Sequence, residues 1–317
     1  MPLPEVLGEG KRREEIIHKR YMVLDVLGIG TYGAVYRVRD LRNKCIRALK
    51  SIKLGPTGAE VVKTGGGRKA SDWDKALSEA KLLAALKHPR VVQLFDAFAD
   101  PLAFHLVMEF CEAGTLDDAM EEKRKMGASL SDEQIACWMG QLAEALVYLH
   151  QKKILHRDLK STNIFLQAGE QRCGDWANLK LGDFGISRQL AGTLDEASTC
   201  IGTPYYFSPE LFKQQGYNHK ADTWALGCIL FELRLLRHPF YPADNLPQLM
   251  HKVVTKEPDY SDWPKNDVFL PLVQGLLTKN AKQRLASAHI LRAPPIVAHA
   301  KSFPEQHREP AASQSPV

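Results

Sequence analysis

Tyr21-Met22-Val23-Leu24-Asp25-Val26-Leu27 is a mostly apolar, strand-like run that ends in glycine, whereas residues 1–18 are polar and charged. The fold is therefore expected to begin near residue 19. A second strand, roughly Ala34 to Arg39, and a third, Cys45 to Leu54, follow at hairpin distances, so the first 55 residues read as an antiparallel meander closed by Gly55-Pro56. The stretch from Gly58 to Ala70, with Gly65-Gly66-Gly67, reads as an inserted loop. Behind it Trp73, Leu77, Ala80, Leu83 and Leu86 recur at helical spacing, with Ser71 as the candidate cap. Strand-like sequence returns from Val91 to Phe98 and from Phe104 to Met108.

Cys111-Glu112-Ala113-Gly114 then breaks the pattern, and the period changes from two to 3.6. Ser131 with Gln134 three residues later forms a capping-box signature, and Ile135, Trp138, Met139, Leu142, Leu146 and Leu149 keep the helical period behind it. Ala221 to Leu233 is apolar nearly all round, as a helix buried inside a lobe would be. No internal repeat is visible. Residues after about 294 carry Pro294, Pro295, Pro304, Pro310 and Pro316 and read as a loose tail.

The chain has 317 residues, 44% hydrophobic and 25% charged, which is ordinary globular usage and excludes a wholly disordered or fibrous chain. Forty-two basic residues against 37 acidic ones leave +5, a mild excess with no dense basic stripe, so nucleic acid is not expected as a partner. Six cysteines at 45, 111, 137, 173, 200 and 228 form no C-x-x-C pair and no metal-ligand cluster, and they are expected as reduced thiols in a cytosolic or nuclear setting. Met1-Pro2-Leu3-Pro4-Glu5 lacks the apolar core of a secretion signal, and no window approaches the ~18 apolar residues of a membrane span.

Candidate chemistry begins at Gly28-Ile29-Gly30-Thr31-Tyr32-Gly33-Ala34-Val35, where missing Cβ atoms let backbone amides approach phosphate oxygens. A dinucleotide-binding loop of this form would open a helix; here Val35-Tyr36-Arg37-Val38 is alternating and β-branched, so the loop joins two strands. Taken alone it is weak, since a glycine hairpin without a ligand looks the same. Ala48-Leu49-Lys50 puts an ammonium on a neighbouring strand, and Glu79 on the following helix is its natural counter-ion. Gly65 to Ser71 has the glycines of a phosphate loop without its Gly-Lys-[Ser/Thr] order, and the dispersed His105, His150, His219, His238 and His251 show no ligand spacing.

The strongest segment is His156-Arg157-Asp158-Leu159-Lys160-Ser161-Thr162-Asn163, which fits all fixed positions of H-R-D-L-x-x-x-N. Asp183-Phe184-Gly185 follows twenty residues after Asn163, behind the strand-like Leu179-Lys180-Leu181. With the glycine loop and Lys50, these segments resemble the eukaryotic protein kinase family over residues 20–293. The resemblance implies a bilobal α+β fold: an N-lobe over 19–110 with a small antiparallel sheet and one helix, and a larger, mainly helical C-lobe over 111–293. A polar extension, 1–18, and a flexible tail, 294–317, flank them.

What the resemblance implies for the site follows residue by residue. ATP would lie against Gly28, Ile29, Gly30, Thr31, Tyr32, Gly33, Val35 and Ala48, with Met108 as gatekeeper and Glu109 and Cys111 at the hinge. Lys50 would pair with Glu79 and the phosphates. Asp158 would orient the acceptor hydroxyl, and Asn163 and Asp183 would hold Mg2+. Lys160 would approach the γ-phosphate and, with Thr203 of Gly202-Thr203-Pro204-Tyr205-Tyr206-Phe207-Ser208-Pro209-Glu210, marks the serine/threonine type. Protein substrates with serine or threonine acceptors are the expected partners, with no nucleic acid and no membrane. Glu210 would pair with Arg284, and Asp222 would anchor the catalytic loop. Ser161 and Thr162 are not read as nucleophiles.

Thr193, Ser198 and Thr199 lie between Asp183 and Glu210; phosphate on Thr199, or else Ser198, placed there by an upstream kinase or autophosphorylation, would pair with Arg157. Met108-Glu109-Phe110-Cys111 and Gly202 to Tyr206 are similar to the NIMA-related kinases. The insertions at 55–70 and 167–178, and Ala113 and Thr115 after the hinge, depart from that pattern. A pseudokinase acting as a scaffold would be expected to lack Lys50, Asp158 or Asp183, and all three stand here. A small-molecule kinase would not need the 202–210 segment. The expected setting is cytoplasmic, nuclear and cytoskeletal placement included.

Overall fold

The computed structural model describes residues 16–30, 33–53, 80, 83–100, 103–168, 178–183 and 204–299. The chain divides into two compact units, the first holding the residues up to Phe110 with Asp183 and Pro204, the second holding Cys111–Gly182 and the chain from Tyr205.

The first unit is a six-stranded antiparallel sheet of β1 (Ile16–Ile17), β2 (Tyr21–Gly30), β3 (Gly33–Asp40), β4 (Ile46–Lys53), β5 (Leu94–Ala99) and β6 (Ala103–Glu109). Its order is β1-β2-β3-β4-β6-β5. Alternation decides which face each strand buries: Tyr21, Val38, Leu49 and Val107 form one core cluster, with Val23, Tyr36 and Phe98 packed against it. Each such side chain contributes about 1.5–3 kcal/mol on burial. The expected strands are present, shifted by one to three residues at their ends.

The start of β2 is fastened electrostatically. Arg20 donates two hydrogen bonds to Asp40, at 2.9 and 2.7 Å, and a third to Asp96 at 3.1 Å, while the Tyr21 hydroxyl donates to Asp96 at 2.9 Å. The Arg20 bonds, more than any other influence, hold the Asp40 carboxyl down at about 2. This clamp lets Ile16 and Ile17, expected within a polar extension, pair with Met22 and Tyr21 instead. Of the helix expected over 71–86, Ala80, Leu83 and Leu86 are described, and all are buried. Ser71, Trp73 and Leu77 lie outside the described residues.

The second unit is mainly helical. Its described helices are α1 (Leu116–Lys125), α2 (Asp132–Gln151), α3 (Pro209–Phe212), α4 (His219–Leu235), α5 (Leu246–Thr255), α6 (Leu270–Leu276), α7 (Ser287–Ile290) and α8 (Pro294–His299). A two-stranded ribbon pairs β7 (Ile164–Gln167) with β8 (Asn178–Leu181). Ser131 caps α2, its hydroxyl accepting from the Gln134 amide at 3.2 Å, which is one half of the expected box. Helix α4 is buried on nearly every side, and Gly227 is where α6 crosses it: a Cβ there would meet Leu276 Cβ at 2.8 Å.

Residues 294–299 differ from the tail expectation. Proline is tolerated in a helix's first turn, where its missing N–H has no intrahelical partner anyway, and α8 buries Pro295 and Ile296. The thiol expectation is also corrected: Cys45, Cys111 and Cys228 are free, but Cys137 is disulfide-bonded. Dispersed spacing along the chain does not report which cysteines the fold brings within bonding distance. Among the described residues no helix is long and apolar enough to cross a membrane.

The main polar bond in this unit is between Glu210 and Arg284. Arg284 donates to both Glu210 oxygens, at 2.7 and 2.9 Å, and to the carbonyls of Thr278, Lys220 and Lys279. Its guanidinium lies 5.0 Å from the Trp224 ring centroid. Burial would raise the Glu210 carboxyl, yet the Arg284 fork holds it below its ordinary value. Arg284→Met should therefore strand a buried carboxylate and cost about 3–5 kcal/mol. Calorimetry should show the midpoint falling by several degrees; an unchanged midpoint would contradict the assignment.

Candidate active site

In the first unit β2 and β3 close on each other through Gly28↔Val35, Ile29↔Ala34 and Gly30↔Gly33, so the glycine loop joins two strands. Gly33 must be glycine: a Cβ built there would stand 1.8 Å from the Ser51 carbonyl oxygen of β4. Ile29 remains 69% exposed, a large apolar side chain left in the open at the hairpin's end. Thr31 and Tyr32 lie outside the described residues.

Register carries the remaining first-unit candidates. On β4, Ala48 sits opposite Met108 of β6 and Lys50 opposite Leu106, with Val35 on the other side of Lys50. Ala48 is buried, and Glu109 is pinned to Gln93 by a 2.9 Å backbone bond and a 3.3 Å bond from the Gln93 amide to its carboxylate. The Lys50 ammonium forms an ion pair with Asp183, both partners being partly buried. Asp183 has a left-handed backbone, φ 55°, which turns the chain sharply after β8. Glu79, the expected partner of Lys50, lies outside the described residues.

The second unit assembles the residues from His156 to Asn163. Their anchor is Asp222, wholly buried near the start of α4. One of its oxygens accepts from the His156 amide at 3.1 Å and from His150 Nε2 at 2.9 Å. The other accepts from the Arg157 amide at 3.2 Å and the Tyr217 hydroxyl at 2.5 Å. Burial alone would raise this carboxyl; the His150 and Tyr217 bonds and the nearby His156 overcome it and hold it below its ordinary value. Arg157 takes a left-handed conformation, φ 69°, so that two successive amides can face one carboxylate.

His156 is buried and accepts at Nδ1 from the Asp158 amide at 3.3 Å, so Nε2 carries the proton and donates to the Gly182 carbonyl at 2.9 Å. Gly182 in turn donates to the Asn163 carbonyl at 3.0 Å. Asn163 spends its amide nitrogen on Asp158, 2.8 Å from the backbone carbonyl and 3.0 Å from the carboxylate. Lys160 Nζ lies 3.3 Å from the same carboxylate oxygen. Among the described residues the Asn163 amide and the Lys160 ammonium thus steer the Asp158 carboxylate. Asn163 Oδ1 has no hydrogen bond among the described residues, which leaves an oxygen for a cation.

The structure therefore gathers Lys50 with Asp183 in the first unit, and Asp158 with Lys160 and Asn163 in the second. Cys111 begins the second unit, partly buried. Thr115, a departure at the sequence level, has a local reason: it caps α1 in a reciprocal box with Asp118. Thr203, Thr199 and Ser198 lie outside the described residues. Sequence reasoning missed His150 and Tyr217, which grip Asp222 from 72 and 5 residues away and belong to no motif. Among the described residues no group of three His, Cys, Asp or Glu could hold a metal alone. A hard cation that keeps waters and substrate phosphates in its shell suits so sparse a donor set.

These features define a protein kinase: the family model described as the protein kinase domain matches residues 21–296, and the chain belongs to that family. It is 36% identical over 283 residues to serine/threonine-protein kinase Nek11 of Mus musculus, covering 88% of this chain and 42% of that protein. Mouse Nek4 is 37% identical over 291 residues, 90% of this chain and 34% of the relative. The probable serine/threonine-protein kinase nek3 of Dictyostelium discoideum is 34% identical over 278 residues, 87% of this chain and 23% of the relative. The chain thus spans less than half the length of these relatives. The NIMA-related resemblance of the hinge and the 202–206 segment agrees with them.

Asp222→Asn should test the anchor, because asparagine offers one acceptor where four donors converge; a loss of about 3 kcal/mol is expected near neutral pH. The native carboxyl is depressed, so its stabilisation is present above its ordinary value of 3.8 and fades as pH falls through the lower folded value. Unfolding midpoints of variant and wild type should therefore converge on acidification. A gap that stays constant with pH would refute the anchor role.

Proposed function

We propose that this chain transfers the γ-phosphoryl group of ATP to serine or threonine hydroxyls of protein substrates. The observation that carries this is the Asp158 carboxylate, held between the Asn163 amide and the Lys160 ammonium on a loop fixed by Asp222. Such a carboxylate can accept a hydrogen bond from an acceptor alcohol and align its oxygen with the phosphorus. Lys160 would neutralise charge on the transferring oxygens, and Lys50 would hold the α- and β-phosphates. Gly28, Gly30 and Gly33 would bring amides to the phosphates, with Ile29, Val35, Ala48, Met108, Glu109 and Cys111 about the nucleotide base and ribose.

Mg2+ would be held by Asp183 and by Asn163 Oδ1, and when bound it supplies electrostatic stabilisation of the terminal phosphates. Thr203 would fix serine/threonine preference. Thr199, with Ser198 second, is proposed as the activating phosphate site, paired with Arg157 and filled by an upstream kinase or by the chain itself. The setting proposed with this chemistry is the cytoplasm.

Incubation with Mg-ATP and a mixed peptide library should label serine and threonine, and Asp158→Asn should lower kcat by about 10²–10⁴-fold with little change in the KM for ATP. No incorporation by a sample carrying phosphate at Thr199, or label only on small metabolites, would overturn the reading. Thr199→Ala should abolish activation; a variant as active as the phosphorylated wild type would remove Thr199 from it.

A further inference from the structure

A chain of four polar side chains, all in the second unit, runs behind the catalytic loop. Ser161, next to Lys160 and 2% exposed, lies 3.0 Å through Oγ from Asp117 Oδ1 of α1. The same Oγ is 2.9 Å from the Tyr206 hydroxyl, which lies 2.6 Å from Glu232 Oε2 of α4. Three oxygen–oxygen contacts, all of hydrogen-bond length, join two carboxyl groups through two hydroxyls.

Counting protons shows what this requires. Two hydroxyls supply two protons, so with both carboxyls ionised one of the three contacts would press two lone pairs together. All three become hydrogen bonds only if a third proton is held, which means that one carboxyl is protonated. We infer that Ser161, Tyr206 and Glu232 are positioning residues for phosphoryl transfer, linked by one shared proton whose loss slackens the catalytic loop. This rests on the kinase reading above and adds a control that the reading does not contain.

The surroundings say where that proton sits. Withdrawal from water raises the Glu232 carboxyl to about 8, against the Tyr206 bond, and the charge of Asp117 adds to it. Around it stand Asp117 and Arg124 of α1, Tyr206 before α3, and Cys228 one turn earlier on α4. His238 meets the Tyr206 ring edge-on at 5.4 Å. Burial pushes His238 down to about 3, and burial raises both the Tyr206 phenol and the Cys228 thiol well above their ordinary values. None of these three changes charge between neutrality and the value of Glu232. Because the folded Glu232 lies above its ordinary 4.5, it favours folding most below that value and progressively less as pH rises to about 8.

Glu232→Gln tests the device, because a glutamine amide donates to Tyr206 and lets Tyr206 donate to Ser161 and Ser161 to Asp117. All three contacts are then satisfied at every pH. With the full chain and a peptide substrate, wild-type kcat should fall up to about tenfold between about pH 7 and about pH 9, an alkaline limb missing from the variant. Tyr206→Phe should lower kcat by about tenfold at neutral pH, with the KM for ATP changed less than about twofold. The midpoint of Glu232→Gln should rise relative to wild type as pH goes from about 6 to about 9, a readout independent of turnover. The same alkaline limb in wild type and Glu232→Gln, with parallel midpoints, would overturn the inference and leave the kinase reading intact. An inactive wild type would sink that reading, and the midpoints would still decide the proton.

Discussion

The loop that bears Asp158 depends on how a buried carboxylate near the start of α4 spends its four lone pairs. Asp222 takes two from side chains and two from consecutive amides of the loop that bears Asp158. With so many donors the buried charge is held ionised despite its desolvation. That arithmetic explains the left-handed turn at Arg157: the loop accepts backbone strain because the carboxylate returns two hydrogen bonds. It also explains why His156, gripped through its amide, is free to use its ring between Asp158 and Gly182.

The two units solve the burial of polar groups differently. In the sheet unit, charge lies at the rim: Arg20 bridges Asp40 and Asp96 while Tyr21, Leu49 and Val107 keep the interior apolar. In the helical unit, charge runs through the interior, where Arg284 makes bonds to a carboxylate and three carbonyls, and the Tyr206–Ser161 pair ends on carboxyl groups at both sides. Each of these is nearly saturated, which is what allows them to stand where bulk water does not.

Much of this is legible in the amino-acid sequence. The meander of β2, β3 and β4 follows from three strand-like runs at hairpin distances, and the glycine loop could be assigned to a strand–strand turn because Val35-Tyr36-Arg37-Val38 favours strand over helix. Asp158, Lys160 and Asn163 were legible because a single loop carries them, so their order along the chain survives as proximity in space. What failed to show were partners set by tertiary packing. His150 meets Asp222, and Glu232 meets Tyr206, because α2, α4 and the segment before α3 pack together, and helical periodicity marks such positions merely as inward-facing; Tyr217 reaches Asp222 locally, from just ahead of α4, and belongs to no periodic pattern. Pro294 and Pro295 misled in the opposite sense, since proline ends helices in their interior but suits their first turn.

The Arg20 clamp has a mechanical consequence. Strand β1 is two residues long and would peel away under slight tension, but any pull on the chain ahead of it passes next to a guanidinium riveted to Asp40 and Asp96, residues of two different strands. Force arriving from that side is shared between β3 and β5 before it can reach the hairpin that ends in Gly28 and Gly30. The glycine turn is thereby insulated from whatever is tethered upstream.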